Sequence, residues 1–155
     1  MAGIVEARLK SLGIDLPNAP SPVANYVPWV RSGNLVFVSG QLPVLDGAVA
    51  CVGLIGTEVN ADQGYAAARL CALNLIAHAR NACGGDLDRV TRVVKLTGFV
   101  ASGPAFTDHP AAINGASDVM VQVFGDAGRH SRAAVGASSL PRGATVEVEA
   151  IFEVK

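Results

Sequence analysis

Apolar residues dominate three short stretches in the first third of the chain, after a segment that prolines interrupt. A short amphipathic segment comes first and ends at DLPNAPSP, whose three prolines exclude a continuing helix. The stretches that follow are apolar, short and bounded by turn residues, which predicts strands. They are YVPWVRSG (26–33), NLVFVSGQLPV (34–44) and GAVACVG (47–53). We therefore expect a meander of strands to open the domain.

A helical period replaces the strand pattern at Asn60. Asn60 and Gln63 have the spacing of a capping box, and Gly84 and Gly85 supply a stop signal. Between these signals, small and apolar residues recur every three or four positions, as on one buried helix face. That face consists of Ala68, Cys71, Ala72, Leu75, Ile76 and Ala79. The pattern predicts one long helix here.

The second half of the chain alternates strands with a second helix. RVVKLTGFVA (92–101) predicts a strand, and TDHPAAINGASDVMVQVFGDAG predicts a helix capped by Asp108, with Pro110 in its first turn and Gly125 at its end. One face of that helix is formed by Ile113, Ala116, Met120, Val123 and Phe124. RAAVGASS and TVEVEAIFEV predict two last strands, and LPRGA between them predicts a hairpin turn.

This order of elements predicts a single α+β domain over residues 1–155, with residues 1–21 as an N-terminal extension. Two helices can cover only one face of the sheet. The composition agrees, since 50% of the residues are hydrophobic and only 16% are charged, against about 25% in an average globular protein. We therefore expect self-association to cover the second face.

Charge and composition exclude several classes of partner. The formal net charge is -1, which gives no basic surface for nucleic acid. We identify neither a signal peptide nor a membrane span, so we expect a cytoplasmic protein. The three cysteines form no CxxC pair, and His78, His109 and His130 do not repeat at ligand spacing, so we expect neither metal nor cofactor.

Three stretches and the order of elements resemble the Rid family, the reactive intermediate deaminases that are also called YjgF proteins. The stretches are NYVPWVRSGNLVFVSGQLPV, FTDHPAAINGASD and SRAAVGASSLPRGATVEVEAIFEV. The last is the most specific, because Arg132 opens a strand, Leu140 and Pro141 form a turn, and Glu147 lies within VEVEAI. The resemblance implies a chorismate-mutase-like fold with a mixed sheet, a homotrimer, and clefts between subunits.

The resemblance also implies site residues. In deaminating members the cleft arginine binds the carboxylate of a 2-imino acid, and Arg132 stands at the matching position. By the same matching, the cleft is lined by Tyr26, Ser39, Gly40, Asn114 and Glu147. One departure is Ala134, which stands where many deaminating members have a cysteine.

Each of these residues also has a structural interpretation. Arg132 at a strand end suits a solvated or intersubunit ion pair, although Ala134 and Gly136 on its face leave room for a ligand. Glu147 suits an exposed strand position, or it positions and deprotonates a water molecule. If LPRGA closes a tight hairpin, Glu147 lies roughly 16 Å from Arg132. Either Glu147 is outside the site, or the site combines Arg132 of one subunit with Glu147 of its neighbour.

The remaining candidate residues also have both a structural and a functional interpretation. Tyr26 in the first strand suits packing or ligand contact, and Ser39 with Gly40 suits either an ordinary turn or backbone donors for a ligand. The Asn114 side chain can form a hydrogen bond either to the nearby backbone or to a ligand. Arg129 and His130 lie in a loop, where charges are usually solvated, but beside Arg132 they would add positive potential at the mouth of the site.

Three functions are consistent with the sequence. The leading hypothesis is hydrolytic deamination of 2-imino or enamine acids, in which Arg132 holds the carboxylate and Glu147 directs water. The second is a trimeric binding module that captures small carboxylates without turnover. The third is ribonuclease activity, which ranks last because the charge is balanced and aromatic residues are few.

Overall fold

The computed structural model describes residues 3–20 and 24–155. These residues form three α-helices, α1 (Ile4–Ser11), α2 (Ala61–Ala82) and α3 (His109–Phe124). They also form seven strands, β1 (Trp29–Ser32), β2 (Leu35–Gln41), β3 (Val44–Leu45), β4 (Ala48–Val49), β5 (Val90–Ala101), β6 (Ser131–Ala137) and β7 (Val146–Val154). Within the described residues, none of the helices has the length and apolar composition needed to cross a bilayer.

Five strands form one mixed sheet in the order β1-β2-β7-β5-β6, and β3 and β4 form a separate two-stranded ribbon. β5 and β6 run parallel, whereas all other neighbours in the large sheet run antiparallel. A parallel pair needs a crossover connection, and α3 supplies it between β5 and β6. The α+β class that the order of elements predicts, and the mixed sheet that the family resemblance implies, are therefore confirmed.

The predicted hairpin between the last two strands is wrong. β5 lies between β6 and β7 and pairs with both of them. Pro141–Gly143 form a short 3-10 turn, from which the chain crosses from the sheet edge to its centre. The Leu-Pro turn signal is local and does not determine which strand the chain pairs with afterwards.

α2 follows the sequence prediction closely. The Asn60 side chain accepts a hydrogen bond from the Gln63 N–H, and the Gln63 side chain accepts one from the Asn60 N–H, each at 2.9 Å. All six residues of the predicted face are buried. The helix ends at Ala82, and Gly84 follows with a φ of 66°, a conformation that favours glycine.

α3 has the predicted face but not the predicted cap. All five residues of that face are buried, and Pro110 lies in the first turn. Asp108 occupies the N-cap position, but its side chain accepts no capping hydrogen bond, contrary to the prediction. Gly125 follows the last residue of the helix with a φ of 65°.

A third helix joins the helical layer, so the expectation of two helices is incomplete. The N–H groups of Ile4 and Val5 each donate to the carboxylate of Asp88 at 2.8 Å, which caps α1 from outside its own segment. These bonds, that of Val5 first, lower the pKa of Asp88. Arg8 donates to the Val123 carbonyl of α3 at 2.9 Å, so the N-terminal segment is attached to the helical layer.

Helices cover one face of the large sheet but not the other. Alternate strand residues such as Leu96 and Phe152 are fully buried beneath α2 and α3. The opposite face carries Val30, Phe37 and Val135, which retain 53%, 43% and 44% of their exposure. A single chain therefore leaves one sheet face uncovered, on which these exposed apolar side chains lie beside polar ones such as Lys95, Thr97 and Glu149.

Candidate functional site

Arg132 lies at the start of the edge strand β6 and points towards α3. Its Nη1 donates to Asn114 Oδ1 at 2.7 Å and to Ser117 Oγ at 3.2 Å. Among the described residues, its Nε and Nη2 have no hydrogen-bond partner. The guanidinium is thus fixed at one nitrogen and keeps free the edge with which arginine binds carboxylates through two parallel bonds.

His130 belongs to the same cluster. Its Nε2 lies 2.8 Å from Ser117 Oγ, and its Nδ1 lies 2.6 Å from the carbonyl oxygen of Gly128. Burial lowers the pKa of His130, the bond to the Gly128 carbonyl opposes this shift, and Arg132 lowers the pKa further. The ring is therefore neutral at neutral pH, and His130 adds a hydrogen-bond acceptor rather than the positive charge considered from the sequence.

Arg129 forms an ion pair with Asp126 rather than a hydrogen bond with this cluster. Its side chain is exposed and lies 3.6 Å from the carboxylate of Asp126, which is also exposed. Exposed ion pairs of this kind stabilise a protein little, and such an arginine can exchange its partner readily. Its place at the rim of a ligand site remains a prediction.

A second group of predicted residues surrounds Glu147 on β7. β2 contains a bulge between Val38 and Gln41, and Gly40 in this bulge lies directly against the Glu147 carboxylate. A Cβ at position 40 would overlap that carboxylate, so the close approach requires glycine. Burial, and then the nearby charge of Glu149, raise the pKa of Glu147.

Tyr26 precedes β1 rather than lying in the first strand, which corrects the sequence prediction. Its side chain is 51% exposed. Together with Gly40 and Glu147 it lines an open cavity of about 660 Å³. Arg142 also lines this cavity, with a left-handed φ of 58° and a bond from its Nη2 to the Gly47 carbonyl at 3.2 Å.

Ser39 uses its donors within the chain. Its N–H donates to the Pro28 carbonyl at 2.9 Å, and its hydroxyl donates to the Val27 carbonyl at 3.0 Å. These bonds hold the segment before β1 against the bulge. For a ligand, Ser39 therefore offers a hydroxyl oxygen as an acceptor rather than the backbone donor that the sequence suggested.

The two groups of site residues are far apart within one chain. Arg132 pairs with Leu96 on β5, whereas Glu147 pairs with Phe99. These rows are three residues apart, and Arg132 and Glu147 are also two strands apart, which together give about 14 Å. An odd number of residues separates the rows, so Arg132 faces the helices and Glu147 faces the uncovered side of the sheet. The structure brings Arg132 near Asn114 and His130, and Glu147 near Gly40 and Tyr26.

Sequence reasoning missed Ser117, which contacts both Arg132 and His130. The available signal was its position three residues after Asn114, which places both side chains on one helix face. Sequence reasoning also missed the pair of Ser102 and His109, whose Oγ and Nε2 atoms lie 3.1 Å apart beside Gly136. Within residues 3–20 and 24–155, no three His, Cys, Asp or Glu side chains are grouped closely enough to hold a metal ion.

Residues 6–153 match the family described as "YjgF/chorismate mutase-like, putative endoribonuclease". The chain belongs to this family. The match confirms the resemblance that the motifs around Tyr26, Asn114 and Arg132 indicate, and it covers nearly all of the chain.

Of two relatives of this chain, one has a name that states no activity and the other is named as a deaminase. Protein TCP17 of Trypanosoma cruzi is 49% identical over 154 residues, which cover 99% of this chain and 96% of the relative. The 2-iminobutanoate/2-iminopropanoate deaminase of Dermatophagoides farinae is 29% identical over 142 residues, which cover 92% and 95%. One relative is thus named for deamination of 2-iminobutanoate and 2-iminopropanoate.

Solved structures of proteins with similar sequences share this fold. The Agrobacterium tumefaciens protein Atu1372, of unknown function, has a TM-score of 0.91 at 50% identity, covering 97% of this chain and 92% of its own. The E. coli protein TdcF, solved with bound serine, has a TM-score of 0.63 at 27% identity, covering 89% and 94%. The fold of this chain is therefore much closer to that of Atu1372 than to that of TdcF.

Proposed function

We propose that this protein hydrolyses 2-imino acids to 2-oxo acids and ammonia. The observation that carries the proposal is the Arg132 guanidinium, fixed through Nη1 by Asn114 and Ser117 with its Nε and Nη2 edge free among the described residues. Such an edge fits a carboxylate, the group that every 2-imino acid carries. The relative named 2-iminobutanoate/2-iminopropanoate deaminase supports the choice of substrate class.

The catalytic cleft, in this proposal, lies between subunits of a homotrimer. Arg132 and Asn114 of one subunit face Tyr26, Gly40 and Glu147 of the next. Two observations support a shared cleft: the two groups lie on opposite faces of the sheet, and the uncovered face exposes the large apolar side chains of Val30, Phe37 and Val135. Covering that face with a neighbouring subunit removes apolar surface from water and brings a second chain to the site.

The reaction needs only positioning and proton transfer. The substrate carboxylate binds Arg132, which fixes the iminium carbon relative to Glu147 of the neighbouring subunit. Glu147 removes a proton from a water molecule as the water oxygen attacks that carbon, and a tetrahedral amino alcohol forms. Glu147 then passes this proton to the amine, and the C–N bond breaks as the hydroxyl oxygen forms the C=O bond. The hydroxyl proton passes to the released ammonia, so ammonium leaves with a 2-oxo acid. Because an iminium carbon is already electrophilic, orientation supplies most of the rate enhancement.

Glu147 is suited to both proton transfers. Burial and the charge of Glu149 raise the pKa of Glu147, which makes the carboxylate a stronger base than an exposed glutamate. The same shift makes the protonated carboxyl a weaker acid, which still returns its proton readily to an amine. Tyr26 and the Ser39 hydroxyl oxygen are left to contact the remainder of the substrate.

The test is release of ammonia and 2-oxobutanoate from 2-iminobutanoate, generated in situ from 2-aminobutanoate by an amino-acid oxidase. Wild type is expected to accelerate release over the spontaneous reaction. Arg132→Ala is expected to lower kcat/KM roughly 100-fold, because a charge-assisted bidentate contact is lost. Arg132→Lys keeps the charge but not the planar edge, so a smaller loss of about tenfold is expected.

Arg69→Ala serves as the control, since it removes a guanidinium from α2. It is expected to leave kcat/KM unchanged. Saturable binding of 2-oxobutanoate that requires Arg132, without any acceleration, would replace the deaminase with the binding module. A wild-type protein that neither binds nor accelerates would overturn both functions.

A further inference from the structure

Ser117 on α3 links the proposed ligand-binding arginine to a histidine. Its Oγ lies 3.2 Å from Arg132 Nη1 on one side and 2.8 Å from His130 Nε2 on the other. The remaining ring nitrogen, Nδ1, lies 2.6 Å from the Gly128 carbonyl oxygen. Three side chains and one backbone carbonyl therefore form a continuous hydrogen-bonded chain.

The direction of each bond in this chain is determined by its ends. A carbonyl oxygen can only accept, so Nδ1 of His130 carries the proton that it donates to Gly128. In the neutral ring Nε2 is then an acceptor, and the Ser117 hydroxyl must donate to it. Because the hydroxyl proton is directed at His130, a lone pair of Ser117 Oγ is available to Arg132, which can only donate. Each of the three hydrogen bonds that join Arg132, Ser117, His130 and Gly128 therefore pairs a donor with an acceptor.

The Gly128 carbonyl, at which this series of hydrogen bonds ends, is held in place by packing. Gly128 is buried, and a Cβ at this position would overlap the Met120 carbonyl on α3. Ser117 lies on the same helix, so one end of the His130 ring bonds to α3 and the other bonds to a residue that packs against α3. Arg132 is then held at Nη1 by two acceptors from α3, Asn114 Oδ1 and Ser117 Oγ.

We propose that Ser117 and His130 are positioning residues, which hold the Arg132 guanidinium with its Nε and Nη2 edge directed at the substrate carboxylate. This inference rests on the proposed function for the identity of the ligand. Neither residue is assigned a contact with the reacting atoms, because His130 reaches Arg132 by hydrogen bonds only through Ser117. The two residues therefore act in series.

A series arrangement makes a strict prediction for a double-mutant cycle. The variants are Ser117→Ala, His130→Asn and the double variant, and the readouts are KM for 2-iminobutanoate and Kd for 2-oxobutanoate by calorimetry. Asparagine is too short to reach Ser117 but keeps an N–H for Gly128. Each single variant is expected to raise both constants about fivefold to tenfold with little change in kcat, because ligand binding is weakened uniformly. The double variant is expected to be no worse than Ser117→Ala alone.

Two further variants separate positioning from general damage. His130→Gln places an amide oxygen near the position of Nε2 and is expected to restore most of the affinity that His130→Asn loses. Tyr65→Phe removes a bond of 2.6 Å to Asp118 on the outer side of α3 and is expected to change neither constant. Additive effects of Ser117→Ala and His130→Asn, or failure of glutamine to rescue, would overturn the inference.

A readout on the free protein distinguishes failure of this inference from failure of the proposed function. Rotation of the Arg132 guanidinium, measured by ¹⁵N NMR, is expected to be slow in wild type and faster in Ser117→Ala and His130→Asn. Unchanged rotation would refute positioning even if the deaminase is active. If the guanidinium rotates faster in these variants but wild type does not hydrolyse imines, the positioning role is supported and only the proposed substrate is rejected.

Discussion

Glu147 is the residue whose environment most directly sets a pH dependence. As a base it must be ionised, and burial followed by the charge of Glu149 raises its pKa. Imine hydrolysis is therefore expected to fall as the pH drops through this raised pKa, at a higher pH than for an exposed glutamate. Glu149→Gln removes one cause of the shift, so the acid limb of kcat/KM is expected to move to lower pH.

The measurement is the pH profile of kcat/KM for wild type, Glu149→Gln and Glu147→Gln. Glu147→Gln is expected to lose most of the activity at every pH, because the amide cannot accept a proton from water. An acid limb that stays in place in Glu149→Gln would show that a different group controls it.

At the scale of the element, α2 contains a buried histidine that should couple stability to pH. His78 is only 2% exposed, and neither ring nitrogen has a hydrogen-bond partner among the described residues. Burial lowers the pKa of His78, and the nearby Pro20 carbonyl opposes that shift. The unfolded chain, with a histidine pKa of about 6.5, then binds the proton more readily than the folded one.

The free energy of unfolding is therefore expected to decrease as the pH falls below about 6.5. Chemical denaturation of wild type and His78→Leu at several pH values checks this expectation, and the leucine variant should show a shallower decrease. The same measurement on His130→Asn serves for comparison. Burial lowers the pKa of His130 as well, so this variant is also expected to show a shallower decrease. A leucine variant with an unchanged slope would contradict the assignment.

Elements specified by their own residues could be predicted from the sequence, and long-range pairings could not. The capping box of Asn60 and the buried face of α2 depend on contacts within a few residues, and both predictions are confirmed. The hairpin at LPRGA is wrong because β5, from an earlier part of the chain, occupies the place between β6 and β7. Ser117 was overlooked for a related reason, since its contacts are with Arg132 and His130, which lie outside its own helix.

For the whole molecule, the uncovered sheet face predicts that assembly and activity are lost together. Phe37→Lys places a charge on this face, which a neighbouring subunit would have to bury. Sedimentation is expected to show a trimer for wild type and smaller species for the variant, with the helical signal in circular dichroism retained. Imine hydrolysis is expected to fall with the trimer.

Leu12→Lys is the matched control, because Leu12 has the same 43% exposure as Phe37 but lies at the end of α1. It is expected to leave both assembly and activity unchanged. A wild-type protein that sediments as a monomer at micromolar concentration, or a Phe37→Lys trimer, would overturn the shared cleft.

The placement of Arg132 and Glu147 on opposite faces of one sheet also has a genetic consequence. If each cleft draws on two chains, an allele encoding Arg132→Ala and an allele encoding Glu147→Gln are defective alone but complement each other. A mixed trimer always contains one cleft in which an intact arginine meets an intact glutamate. With random assembly of equal amounts, about a quarter of all clefts are whole. Two inactive genes in one cell would then restore an activity that neither encodes, which no enzyme with its site inside one chain can do.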